Sequence, residues 1–214
     1  MTVYLYVEGG GDSKELRTRC RRGYSQLLEA AGFGGRLPRI VAAGGRGAAY
    51  DMFKTEHGTD EGSRLPMLLV DSEEFVARDN DVSSTSRVPP DSDSCWRHLE
   101  TRDGWTRPAG TRAEQAQLMV TAMETWIMAD RVTLGRFFGS DLQVGALLPA
   151  HDLEARSRGE VLQALERATR PCGRDRAYSK GRRSFELLAQ LDPTVLRGAL
   201  PHFERFMESL DRLL

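Results

Sequence analysis

Two short acidic segments carry the residues of this chain best suited to chemistry. The apolar run Thr2–Val7 (TVYLYV) leads into Glu8-Gly9-Gly10-Gly11-Asp12, and Leu65–Val70 (LPMLLV) leads into Asp71-Ser72-Glu73-Glu74. If both runs are parallel strands of one sheet, Glu8, Asp12, Asp71 and Glu73 meet at the same sheet edge. Clustered carboxylates repel one another and resist desolvation, and a divalent cation relieves both costs. Magnesium takes oxygen ligands and is typically held by one or two carboxylates, waters and substrate phosphate oxygens. The glycines let the backbone turn tightly and come close to a ligand. Each acid taken alone also reads as a solvated loop charge, and Asp12 as the cap of a helix that begins near Ser13.

Other chemistries find no matching pattern. Gly9–Lys14 (GGGDSK) lacks the second Gly-Lys-Ser/Thr of a phosphate-binding loop. Gly44-Gly45-Arg46-Gly47 does not complete G-x-G-x-x-G and reads as a strand–helix turn. G-x-S-x-G and H-E-x-x-H are absent. Cys20, Cys95 and Cys172 lie far apart, with no zinc spacing to the four histidines, and nothing suggests an activated thiol.

The elements that must position the acids follow from periodicity. Pro38–Ala43 and Gln117–Ala122 are two further strand-length apolar runs, which makes four with the two above. Ser13–Ala31 places Leu16, Cys20, Tyr24, Leu27 and Leu28 on one helical face, and Ala48–Glu56 reads as a shorter helix. Strands alternating with helices predict βαβ units and a parallel sheet, with helices on both sides and ligands at the C-terminal strand edge. Residues 79–90 and 104–111 read as loops and Cys95–Glu100 as a short helix. Helices are predicted over Met123–Phe138, Asp152–Arg170, Arg182–Leu191 and Pro201–Leu213. Trp126 is expected in the core and Asp130 on the surface near a helix end. The organisation expected is an α/β core over residues 1–138 and a mostly helical C-terminal part over 139–214 that packs on or beside it.

Charge sharpens the reading. The 214 residues carry 30 basic and 31 acidic side chains, so a whole-chain basic footprint for nucleic acid is absent and any such binding must be local. From Arg170 to Arg183 six basic residues face one acid. There Arg174, Arg176, Lys180, Arg182 and Arg183 suit a phosphate backbone, since arginine contacts phosphate bidentately. The same segment also reads as a solvated basic loop. Only three of the 30 basic residues are lysines, which singles out Lys180 beside the proposed chemistry. No apolar run reaches the length of a membrane span and no signal peptide is evident. With a sparse, odd cysteine count, this leads us to expect a cytoplasmic protein.

Glu8-Gly9 with Asp12, followed by a strand ending Asp71-x-Glu73, resembles the TOPRIM domain of topoisomerases, primases and OLD-type nucleases. Met119–Asp130 (MVTAMETWIMAD) and Tyr178-Ser179-Lys180-Gly181 more specifically resemble the TOPRIM-like domain-of-unknown-function family numbered 4276. That resemblance implies a Rossmann-like TOPRIM sheet, with Glu8 in acid–base chemistry or metal binding. It implies Asp71 and Glu73 as magnesium ligands, although this chain has Asp-x-Glu where the superfamily has Asp-x-Asp. Glu124, after the fourth strand, reads either as a further ligand or as a helix-start charge. Lys180 matches a position where OLD-like enzymes offset developing charge with a lysine. The implied activity is metal-dependent phosphodiester hydrolysis of nucleic acid with one or two Mg²⁺ or Mn²⁺ ions. The implied setting is a bacterial phage-defence cassette with an AAA- or ABC-type ATPase partner. The alternative is a catalytically inert TOPRIM-like nucleotide- or nucleic-acid-binding or regulatory module docked on that ATPase. A homodimer is the default oligomer.

Overall fold

The computed structural model describes residues 1–59, 62–76 and 93–214. Four parallel strands form one sheet in the order β2-β1-β3-β4: β1 (Thr2–Val7), β2 (Arg39–Ala42), β3 (Arg64–Asp71) and β4 (Ala116–Met119). Parallel neighbours need crossovers, and helices supply them. They are α1 (Lys14–Leu28), α2 (Arg46–Thr59) and α3 (Ser94–Asp103).

The strand pattern of alternating sides fixes two apolar layers. Val3, Leu5, Val7, Met67, Leu69 and Met119 pack toward α1 residues Cys20, Tyr24 and Leu27 in one cluster. Tyr6, Leu68, Val70 and Leu118 pack toward Ala49 and Phe53 of α2 and Trp96 of α3 in the other. Burial on both sides explains why β3 reads as an unbroken apolar run.

The C-terminal helices are α4 (Met123–Ala129), α5 (Arg131–Phe138), α6 (Arg158–Thr169), α7 (Arg182–Leu188), α8 (Pro193–Ala199) and α9 (Pro201–Leu213). They join the α1 side of the sheet in one apolar cluster, where Phe203, Phe206 and Leu210 of α9 sit with Val3 and Leu5. Trp126 is fully buried, with its ring centroid 4.8 Å from that of Phe203. Gln117 Nε2 donates to Ser209 Oγ at 2.9 Å and ties β4 to α9.

The structure corrects several boundaries. The predicted helix Met123–Phe138 is two helices that meet at Asp130. This residue is buried, not on the surface, and its carboxylate accepts from Thr133 N at 2.9 Å and Asp192 N at 2.8 Å. Satisfying two backbone donors there outweighs continuing the helix. The predicted helix from Asp152 begins only at Arg158, because Ser157 and Glu160 form a capping box. The first helix leaves α geometry after Leu28, in a turn that carries Gly32 at φ 95°. The fourth strand stops at Met119, short of Ala122, and Pro193–Ala199 is a helix that periodicity did not reveal. The predicted loop at 79–90 lies outside the described residues. Among the described residues, no helix is long and apolar enough to cross a membrane.

Candidate metal centre

The strand order creates a crevice beside β1. The chain steps from β1 to β2 on one side and then crosses to β3 on the other, so the C-terminal ends of β1 and β3 flank a topological switch point. Glu8 follows β1 and Asp71 ends β3, with Val7 paired to Leu69 in register. Carboxylate oxygens of Glu8, Asp71 and Glu73 lie within 4.8 Å of one another.

Backbone donors hold two of these acids. Glu8 Oε2 accepts from Asp71 N at 3.1 Å, and Asp71 Oδ1 accepts from Met123 N at 2.8 Å. The second bond fixes Asp71 against the start of α4. Glu73 adopts a left-handed backbone (φ 65°), unusual for a residue with a side chain, while its N–H donates to Thr121 O at 2.8 Å. Its carboxylate pairs with the guanidinium of Arg158, the first residue of α6.

Burial governs the electrostatics. It pushes the Asp71 carboxyl well above the usual range. The negative charges of Glu8 and Glu124 push the same way, against the Met123 N–H and Arg158. Glu8 is also raised by burial, opposed by the Asp71 N–H and by Arg46, Arg158 and Lys180. A site that disfavours its own negative charge is one a cation would relieve.

Around the cluster lies an open cleft of about 180 Å³, lined by Gly9–Gly11, Met123, Glu124, Lys180 and Phe185 among others. Two glycines are required there. Gly9 (φ 137°) exchanges both backbone hydrogen bonds with Gly44, at 2.8 and 2.9 Å. A Cβ on Gly10 (φ 87°) would stand 2.8 Å from Arg17 Cα. Behind the cleft, Tyr178 OH donates to Glu124 Oε1 at 2.7 Å and sits 2.8 Å from Ser184 Oγ. Lys180 Nζ lies 3.6 Å from Glu124 Oε1 with 43% of its side chain exposed, at the lip rather than in a buried position.

The structure therefore groups Glu8, Asp71 and Glu73, and sets Glu124 and Lys180 in the same cleft. It does not bring Asp12 to them. That carboxylate is fully exposed, 4.0 Å from Arg17, and Ser13, not Asp12, caps α1. Arg174 is exposed and Arg183 half-exposed. Arg182 pairs with Glu186 at 2.8 Å, and Arg176 is engaged with Phe138 O and Asp141.

Two site neighbours went unread in the sequence. Arg158 gives only a helix-start signal, through the capping box. Arg46 looks like part of a flexible turn, yet it points inward. Its Nε donates to Asp71 O at 2.7 Å, one terminal nitrogen lies 2.5 Å from Asp103, and the guanidinium covers the Trp105 ring. The three cysteines are buried and free, and burial pushes the Cys20 thiol up to about 12 and the Cys95 thiol up to about 11, so neither suits nucleophilic work.

A family model described as a domain of unknown function, DUF4276, matches residues 7–211, a span that holds both acidic strand ends and Lys180. No curated protein and no solved structure matches the chain.

Proposed function

We propose that this chain, which belongs to the DUF4276 family, is a metal-dependent phosphodiester hydrolase acting on nucleic acid. One observation carries the reading: carboxylates from the ends of two adjacent parallel strands converge within 4.8 Å. The donors fit a hard cation, since all three offer carboxylate oxygen and none offers sulfur or imidazole. Glu8, Asp71 and Glu73 would hold one Mg²⁺ or Mn²⁺, and Glu124 lines the same cleft. A divalent ion bound there supplies Lewis acidity toward a phosphodiester oxygen and lowers the pKa of a coordinated water.

The chain's own groups do the rest. Glu8, whose carboxyl is raised by burial, is placed to accept a proton at the strand end. Lys180, at the lip, offsets charge that builds on the phosphate as the bond to the leaving oxygen lengthens. The glycine turn lets the substrate backbone approach closely.

The TOPRIM resemblance supports the same reading, because its glutamate and Asp-x-acid positions fall on Glu8, Asp71 and Glu73. With it come the effector role in a bacterial defence cassette, an AAA- or ABC-type ATPase partner and a cytoplasmic location. In the test, Asp71→Ala abolishes Mn²⁺-dependent cleavage of oligonucleotides while circular dichroism keeps its native form. Unchanged cleavage would refute the hydrolase.

One observation favours the second reading, an inert regulatory or nucleotide-binding module. Arg158 already neutralises Glu73, so the cluster has an internal cation. Calorimetry separates the two: absence of Mg²⁺ and Mn²⁺ binding, even with oligonucleotide present, selects the module.

A further inference from the structure

Helix α1 is the most one-sidedly charged element near the cleft. Its 15 residues carry Lys14, Arg17, Arg19, Arg21 and Arg22 against the single acid Glu15. The chain's near-zero net charge hides this concentration.

The helix meets α7 in contact. At Gly23 a Cβ would lie 3.0 Å from Phe185 O, so only a glycine permits so close a crossing. Beside the crossing runs a groove of about 370 Å³, lined by Arg19, Arg22, Gln26, Phe185, Glu186 and Gln190 among others. Arg19, Arg22 and Gln26 are spaced i, i+3, i+7 and so form one stripe along the wall. The lining acid, Glu186, is already balanced by Arg19 at 3.3 Å and Arg182 at 2.8 Å. Arg22 is exposed and has no acidic partner among the described residues. Phe185 lines both this groove and the acidic cleft, with its ring against Gly9 and its backbone carbonyl against Gly23.

We propose that a single nucleic-acid strand runs from the acidic cleft, past Phe185, into the groove between α1 and α7, with Arg22 on its phosphates. This rests on the hydrolase reading and narrows its substrate to a polymeric single strand. Charge complementarity identifies the occupant: a positive wall with side-chain amides beside it suits a phosphodiester chain. A concavity of about 370 Å³ takes in a stretch of single strand and is too small for a duplex.

The test measures binding of a fluorescein-labelled oligothymidylate of about eight nucleotides, a length within the usual single-strand site sizes. Fluorescence anisotropy is read on the full chain in Ca²⁺ over a salt series. Arg22→Glu weakens binding about tenfold and lowers the salt slope by about 0.7 or more, the value for one lost phosphate contact. Arg167→Glu, the same charge change on α6 outside the groove, weakens it less than twofold, and a duplex of equal length binds about tenfold more weakly than the strand. Melting temperature checks the fold, and if Arg22→Glu fails to fold, Arg22→Gln replaces it with an expected loss of about threefold.

Wild-type affinity in the Arg22 variant, a loss matched by Arg167→Glu, equal duplex affinity, or no binding by the wild type each overturns the strand path. Loss of cleavage in Asp71→Ala alongside normal binding in the Arg22 variant overturns the path alone. Retained cleavage in Asp71→Ala overturns the hydrolase reading instead.

Discussion

Asp71→Asn should make the metal-free protein more stable while removing its response to metal. The side chain is 6% exposed, and its carboxylate lies within 4.8 Å of carboxylate oxygens on Glu8 and Glu73. Two full charges at that separation repel by about 3.5 kcal/mol at an effective dielectric near 20. The Met123 N–H and Arg158 offset part of this, which leaves a net penalty of about 1–2 kcal/mol, the usual gain when a functional site is relaxed. Asparagine keeps an Oδ1 acceptor for Met123 N and discards the charge.

The pH dependence has a definite sign. Asp71 binds its proton more tightly folded than unfolded. Below about pH 4 both states are protonated and the penalty is absent. As pH rises through that value, the unfolded chain ionises first and stability falls, until the raised folded value is passed. Calorimetric melting in EDTA at pH 7 should therefore place Asp71→Asn about 2–8 °C above wild type, since 1 kcal/mol moves a chain of this size about 2–4 °C. The gap should close toward pH 4. Adding Mn²⁺ at about 100 times its Kd should raise wild type alone, by about 2.7 kcal/mol. A variant that melts below wild type in EDTA at pH 7, or a gap indifferent to pH, would refute the account of Asp71 as a strained ligand.

Three further outcomes follow from the same contacts. Arg158→Ala removes the internal cation on Glu73, so calorimetry should show Mn²⁺ affinity rising about fivefold or more, a coupling of roughly 1 kcal/mol; weaker binding would mean that Arg158 organises Glu73 instead. Tyr178→Phe deletes the donor to buried Glu124 and should cost about 1–3 kcal/mol in urea unfolding, whereas an unchanged midpoint would make the bond dispensable. Asp130→Ala orphans two backbone donors and should lower stability by about 2 kcal/mol with an unchanged denaturant slope; wild-type stability would show that water satisfies them.

Much of the fold was legible because burial leaves a direct trace in sequence. Thr2–Val7 and Pro201–Leu213 match their observed bounds, the first as a strand-length apolar run and the second through Phe203, Phe206 and Leu210 on one face. The break at Asp130 was not legible, because it depends on Asp192 N arriving from 62 residues away. Pro193–Ala199 was missed because seven residues are too few for helical periodicity to show. The convergence of Glu8, Asp71 and Glu73 was legible for a topological reason: adjacent parallel strands end at one edge. Asp12 was misplaced because five residues past the strand the glycine turn has already carried the chain out to solvent. Arg158 reaches Glu73 and Arg46 reaches the Asp71 carbonyl from elsewhere in the chain, and no local pattern encodes those approaches.

The same topology explains why a charge-neutral chain can hold two opposed electrostatic surfaces. The crossover from β1 to β2 places α1 directly after the glycine turn, so its cations begin six residues beyond Glu8. Five basic side chains then stand on the helix that starts where the acidic strand end stops. An acidic crevice alone repels a phosphodiester, and a basic helix alone attracts any polyanion without directing it. On the proposed hydrolase reading, the two set edge to edge would orient the substrate, the basic wall holding the chain while one phosphate lies over the carboxylates. Catalysis on that reading requires neutralisation of Glu8, Asp71 and Glu73. Oligonucleotide affinity in the cleft should therefore depend on divalent ion, while attraction to α1 should depend on monovalent salt. Anisotropy titrations that vary the two independently should yield two separable dependences, and a single salt dependence unaffected by Ca²⁺ would show that the acidic edge takes no part in binding.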